Sequence, residues 1–292
     1  MKPVIRIITV GLALLLAGCT LGPSLPDGAH LEEQVIYIER DQGPLAGRLF
    51  VPPGKGPHPT VLLVHGGGWR GGSPRHMDHI GRLLAREGLL AFSPGYRFAP
   101  DAVHPAQLVD IREAWNWLAQ RDDVDPRNMA AWGYSAGAHL ALLLGLAPEA
   151  EGGPTDGPRP IAIVGGGSPT RLDLFDPDGR LLVNLLGGTR DEMPERWESA
   201  SPITWVTPDD PPVYLYHGSD DDVVSPEHSE ELASALQEAG VPVVLDQVPG
   251  GHISVALLDR DVERRAAGFI RQQLRDSEGM FDDEPVQRDL AP

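Results

Sequence analysis

Short apolar runs and longer segments of helical spacing alternate along most of this chain. Gln34 to Ile38 and Leu45 to Val51 predict two strands, parted by the Asp41-Gln42-Gly43 turn into an antiparallel hairpin. Pro52 to Pro59 is rich in breakers and reads as a loop. The run from Thr60 to Val64 suits a strand buried on both faces. His79 to Glu87 has helical spacing and stops at Gly88, and Leu89 to Phe92 follows as a strand. Pro105 to Gln120 predicts a helix with proline at its start. Strand Asn128 to Trp132 and the apolar helix Ala138 to Leu146 come next, then strands Ile161 to Val164 and Val213 to Tyr216. Helix Pro226 to Ala239, strand Val241 to Val248 and helix Val262 to Leu274 complete the series. Strands alternating with helices in this way predict an α/β fold, a mostly parallel central sheet covered by helices on both faces. The segment 168–212 breaks the alternation, with only a short helix expected at Leu181 to Leu186. Lying between two strands, it is expected over the sheet's C-terminal edge, where it would shape a pocket.

The two ends carry a different pattern. Lys2 and Arg6 precede an apolar run from Ile7 to Ala17, the length of a signal-peptide core and too short to span a bilayer. It closes in Leu16-Ala17-Gly18-Cys19, which resembles the lipobox of bacterial lipoproteins. That resemblance implies cleavage after residue 18, acylation of Cys19, and an exported lipoprotein held in the cell envelope by its lipid. Thr20 after the cysteine implies the outer membrane in a Gram-negative cell. The expected organisation is a signal peptide over 1–18, a lipidated cysteine and flexible tether over 19–30, a catalytic domain over 31–276 and an acidic disordered tail over 277–292.

Composition narrows the function classes. The chain has 292 residues, enough for one large domain, and a formal charge of −18. An acidic balance of that size argues against a nucleic-acid partner, which needs a basic face. Cys19 is the only cysteine, so no disulfide forms within the chain. The histidines show no metal-ligand spacing.

The chemistry gathers where predicted strands end. Gly133-Tyr134-Ser135-Ala136-Gly137 lies between a strand and a helix, a turn with no room for side chains beside the serine. A serine hydroxyl needs a base to take its proton, and the base needs a carboxylate to orient it. Downstream, one strand runs into His217-Gly218-Ser219-Asp220-Asp221-Asp222 and the last into Pro249-Gly250-Gly251-His252. Upstream, Thr60 to Val64 runs into His65-Gly66-Gly67-Gly68-Trp69, whose bare backbone suits an oxyanion site. The residues alone leave Asp220, Asp221 and Asp222 all open as the acid.

Taken together with Tyr96-Arg97-Phe98-Ala99-Pro100 and Ser201-Pro202-Ile203, these motifs resemble an α/β-hydrolase of the hormone-sensitive-lipase-like esterases. They are most similar to the small bacterial carboxylesterases of BD-FAE type, over residues 31–275. The resemblance implies a serine carboxylesterase without cofactor. Ser135 is then the nucleophile, His252 the base, and Asp221 the acid, because Val224 fills the family pattern after it. It also implies oxyanion donors at Gly67, Gly68 and Ala136. Trp69 and Tyr134 are expected toward substrate, with simple packing the other reading of Trp69. His65 would brace the glycine loop, His139 would pack internally, and His217 would bond its own loop. His76, His79, His104 and His228 are expected on the surface or in loops.

The chain departs from the larger branch in Gly95 before Tyr-Arg, in Ala138, and in lacking an Asp-Pro-Leu acid loop. Only a short stretch separates Cys19 from the first strand, so no large N-terminal cap is expected. An open site favours short acyl esters, including acetyl groups on carbohydrate. Two other readings keep the fold: an arylformamidase or short-peptide amidase on the same triad, or a lipid-tethered binding module without catalysis. Retired hydrolases usually lose a triad or oxyanion residue, and here every position is filled.

Overall fold

The computed structural model describes residues 23–147 and 157–279, and there the predicted strands join in one sheet. They are β1 (His30–Ile38), β2 (Leu45–Val51), β3 (His58–Val64), β4 (Leu90–Pro94), β5 (Val124–Tyr134), β6 (Ile163–Gly166), β7 (Val213–Gly218) and β8 (Val243–Val248). Their spatial order is β1-β2-β4-β3-β5-β6-β7-β8. β2 pairs antiparallel with both β1 and β4, and every other pairing is parallel. The mostly parallel α/β sheet expected from the alternating pattern is thus present, and with it the α/β-hydrolase fold that the family resemblance implies.

Side-chain alternation divides the core. Leu62 and Val64 of β3 point into one cluster with Leu90, Phe92 and Ala131, under α2 (Ala106–Ala119), α3 (Ala136–Leu146) and α6 (Glu227–Glu238). Val61 and Leu63 enter the other, with Ala91, Ala130 and Trp132, under α1 (Asp78–Arg86) and α8 (Arg260–Gly279). A strand buried on both faces needs an unbroken apolar run, and that is what Val61 to Val64 supplies. α3 is buried all round, because the sheet lies on one side and the 168–212 segment on the other.

The strand order reverses around β3. Its successor β4 lies to one side and β5 to the other, so the loops after β3 and β5 open a crevice at the sheet's C-terminal edge. In doubly wound sheets such a switch point is where ligands bind. The segment 168–212 folds over this edge with α4 (Arg180–Leu186), α5 (Pro194–Ser199) and two short 3-10 turns.

Several boundaries differ from those expected. β5 begins at Val124, and a helix α7 (His252–Leu258) starts at the histidine itself. α8 continues to Gly279, so the first residues of the 277–292 tail are helical. The rest of that tail, Cys19 and residues 1–22 lie outside the described residues. None of the described helices is long and apolar enough to cross a membrane.

Candidate active site

Steric crowding builds the turn at Ser135. β5 ends at Tyr134 and α3 begins at Ala136, so Ser135 alone makes the bend, at φ 55° and ψ −126°. A non-glycine residue in that region is strained and is held only when its surroundings over-determine it. They do so here. A Cβ at Gly133 would lie 2.2 Å from the Gly137 carbonyl oxygen, and one at Gly137 would lie 2.0 Å from that of Val64. The Ser135 amide donates to the Gly166 carbonyl at 2.7 Å, which pins the bend to β6.

Three strand ends then converge. Ser135 Oγ lies 2.9 Å from His252 Nε2, and His252 Nδ1 lies 2.6 Å from Asp221 Oδ2. Because the carboxylate can only accept, Nδ1 carries the proton and Nε2 is free to accept from the serine hydroxyl. The other carboxylate oxygen of Asp221 accepts from the amides of Val223 and Val224 at 3.0 and 2.9 Å. Burial raises the Asp221 carboxyl, but hydrogen bonds from His217, His252 and the backbone outweigh it and hold the group well below the usual carboxylate range. Asp220 and Asp222 are exposed, so of the three candidates only Asp221 reaches the histidine.

The glycine loop after β3 lies against this bend. A Cβ at Gly66 would stand 3.2 Å from Ser135 Cβ. Gly67 and Gly68 have φ of 130° and 61°, and a Cβ at Gly67 would meet the Gly71 carbonyl at 2.2 Å. Both positions need glycine. A Cβ at Gly68 would come 3.2 Å from Leu181 Cδ1, so α4 stands directly over the loop.

Sequence reasoning placed several neighbours wrongly. Trp69 does not face a pocket: it is 2% exposed, and its indole N–H donates to His139 Nδ1 at 3.2 Å. Tyr134 is likewise buried, with its hydroxyl donating to the His252 carbonyl at 2.6 Å. Both hold the machinery rather than the substrate. His104 and His228 are buried, not superficial, because the 168–212 segment covers them. The Leu185 carbonyl accepts from the His104 amide at 2.7 Å, and the Phe175 ring lies 4.8 Å from that of His228. His79 is half-buried and bonded to Glu263 at 2.8 Å. His76 is exposed, as expected.

Other expectations agree with the geometry. His65 is buried, with Nδ1 donating to the Gly66 carbonyl at 2.8 Å. The Tyr96 hydroxyl donates to the His65 carbonyl at 2.9 Å. His139 Nε2 donates to the Ala200 carbonyl at 2.7 Å. Sequence reasoning overlooked Asp110, a fully buried carboxylate held by a two-pronged Arg97 and by Arg40 at 2.8 Å. Its signal was present in the arginine of Tyr96-Arg97, which needs an anion once its loop is packed.

Comparison with known proteins agrees with this geometry. The BD-FAE family model matches residues 49–236, more than half of the chain, and the chain belongs to that family. It is 31% identical over 222 residues to Esterase LipC of Mycobacterium tuberculosis, covering 70% of this chain and 54% of LipC. The chain thus spans about half the length of the mycobacterial relatives it matches, between 48% and 55% for three of them. Among solved structures, a truncated carbohydrate esterase from gut microbiota superposes with a TM-score of 0.76 at 22% identity, over 86% of this chain and 99% of that one. Butyrate-bound esterase 2 of Thermogutta terrifontis gives 0.69 at 23% identity, over 84% and 94%. At such identities these structural likenesses establish the fold.

Proposed function

We propose that this member of the BD-FAE family is a serine carboxylic ester hydrolase acting on short acyl esters, acetyl groups on carbohydrate among them. The single observation that carries the reading is the unbroken relay Asp221–His252–Ser135, with gaps of 2.6 and 2.9 Å, at the switch point of the sheet. The esterases named among its relatives and structural neighbours support the reaction class. The carbohydrate esterase and the butyrate complex support the substrate class.

The steps follow from the bonds. The Ser135 hydroxyl gives its proton to His252 Nε2 as the oxygen attacks the ester carbonyl. Asp221 keeps the ring in register and stabilises the imidazolium. The carbonyl oxygen gains negative charge and moves between the amides of Gly67, Gly68 and Ala136, the proposed oxyanion site. No protein carbonyl accepts from these amides among the described residues. The N-terminus of α3 adds a favourable field for that charge. The imidazolium then gives its proton to the departing alcohol, leaving an acyl group on Ser135. Water repeats the sequence and frees the acid, with His252 again acting as base and then acid.

The lipoprotein reading of Cys19 fits this substrate class. Arg86, at the last turn of α1, donates to the Ser24 carbonyl at 2.8 Å. α1 runs antiparallel to β3 and β4, so Ser24 lies at the edge of the sheet opposite the triad. A lipid on Cys19 would then leave the mouth facing away from the bilayer, toward soluble esters. Replacing Cys19 with serine is expected to abolish palmitate incorporation, and labelling that persists would refute the anchor.

A panel of p-nitrophenyl esters together with acetylated xylan and an arylformamide tests the function. Highest kcat/KM at two to four acyl carbons is expected. Preference for long chains, or turnover of the formamide alone, would overturn it.

A further inference from the structure

We infer that His217 is a positioning residue for the reaction, a second histidine that sets a ring N–H beside the acid of the triad and fixes its carboxylate toward His252. The inference rests on the ester-hydrolase reading for the role of Asp221, but not for the contact itself.

His217 is fully buried near the end of β7, four positions before Asp221. Its Nε2 lies 3.2 Å from Asp221 Oδ2, the same oxygen that accepts from His252 Nδ1. Nε2 also lies 2.9 Å from the Val224 carbonyl. Both neighbours are pure acceptors, since one is a carboxylate and the other a carbonyl. Two acceptors cannot face a bare ring nitrogen without repulsion, so Nε2 carries a proton: the Val224 carbonyl accepts it, and its partial positive charge lies beside the Asp221 oxygen. The opposite nitrogen, Nδ1, lies 2.6 Å from the Ser229 hydroxyl of α6. A hydroxyl donates to a bare nitrogen, which allows this tautomer in the neutral ring. The imidazole is thus a rigid strut between α6 and the acid loop, with its polar ends both engaged.

That arrangement has a consequence for the reaction. Asp221 accepts from two backbone amides on one oxygen and from His252 on the other, and His217 Nε2 stands 3.2 Å from that second oxygen. Each donor disperses its charge and makes it a weaker proton acceptor. A carboxylate so held orients His252 without competing for the Nδ1 proton, and cannot swing toward solvent. A role limited to bracing the loop would need only the Val224 carbonyl. The 3.2 Å approach to Asp221 Oδ2 predicts an effect on the titration of the His252–Asp221 pair instead. The other ionisable groups around that pair are Tyr134 of β5, whose ring lies 5.2 Å from that of His252, and the exposed Asp220 and Asp222. On the far side, His228 of α6 is pushed down to about 4 by burial. None of these donates to the carboxylate among the described residues.

The test compares His217→Leu, which removes the donor, with His217→Gln, which offers an amide N–H in its place. Loss of the donor makes Asp221 more basic and a stronger partner for the His252 imidazolium. The acid limb of kcat/KM against pH is therefore expected to move up by about half a unit in the leucine variant. Its plateau should fall about tenfold through looser alignment. Glutamine should return the limb toward the wild-type position. An acid limb in His217→Leu that coincides with the wild type, whatever the loss of rate, overturns the inference. Ring-nitrogen NMR of the wild-type protein needs no variant and no substrate. It should show His217 protonated on Nε2 with a coupling partner at Asp221; a ring protonated on Nδ1 alone would overturn the inference even if every esterase measurement succeeded.

Discussion

The nucleophile turn and the 168–212 segment meet over the same crevice but are held in opposite ways. Around Ser135 the restraint is excluded volume: Gly133, Gly137 and Gly67 each sit where a Cβ would lie 2.2 Å or less from a backbone oxygen. Over it, the restraint is a set of separate polar contacts. Ser201 Oγ accepts from the Leu172 amide at 3.0 Å and donates to the Trp197 carbonyl at 2.9 Å. Thr170 Oγ1 donates to the His228 carbonyl at 2.5 Å. Backbone packed against backbone cannot yield without unfolding, whereas each polar contact contributes on the order of 1 kcal/mol and is separately replaceable. The difference teaches a division of labour. The proposed reacting groups stand on the part that cannot move, and the segment that covers them stands on the part that tolerates change.

The strongest way to break this picture is at the acid. Asp221→Asn keeps the shape but favours the wrong tautomer of His252, and kcat is expected to fall about 10⁴-fold. Asp220→Asn and Asp222→Asn should each stay within about twofold of wild type, their side chains being exposed and making no hydrogen bond to His252 or Ser135. Steady-state rates on a short ester measure all three. Next comes Gly137→Ala, which drives a methyl to 2.0 Å from the Val64 carbonyl oxygen. It should cost on the order of 3 kcal/mol and most of the activity together, as read by urea unfolding and by rate.

A third prediction concerns the buried histidines. Burial pushes His65, His139 and His228 down to about 4; burial, aided by His139 and Arg196, pushes His104 down to about 3. An unfolded histidine takes up its proton near pH 6.5. Between there and about pH 4 the unfolded chain therefore binds more protons than the folded one. Stability should fall as pH drops through that window, and be full above it. Neither ring nitrogen of His104 has a protein partner among the described residues. His104→Leu should thus flatten the dependence by about one proton, or roughly 1.4 kcal/mol per pH unit, in denaturation curves recorded from pH 4 to 7. The smallest effect belongs to Leu181 over Gly68. Leu181→Ala should raise kcat/KM for octanoyl relative to acetyl esters about threefold, with the melting temperature unchanged.

The same contrast explains what the sequence disclosed. Ser135 and His252 were legible because each follows a strand whose apolar run is plain, and because glycines mark the places where backbones touch; the acid loop was legible in the same way, but only the family pattern singled out Asp221 from Asp220 and Asp222. The sheet and its two covering layers were legible for the same reason, from runs such as Val61 to Val64. The 168–212 segment was not, since its shape depends on side chains bonding to distant carbonyls rather than on periodicity. Every histidine wrongly placed at the surface near the site, His104 and His228, lies beneath it. Trp69 and Tyr134 were read as substrate contacts because they flank reacting groups in sequence. Their polar atoms turn inward, to His139 and to the His252 carbonyl, an orientation that only three-dimensional packing decides.

The central claim is that Ser135 carries the acyl group. Reaction with a fluorophosphonate, followed by peptide mass mapping beside ester turnover, tests it most directly. One adduct is expected, on the peptide bearing Ser135, with the loss of both adduct and hydrolysis in Ser135→Ala. An adduct on another residue, or turnover that survives the substitution, would contradict it.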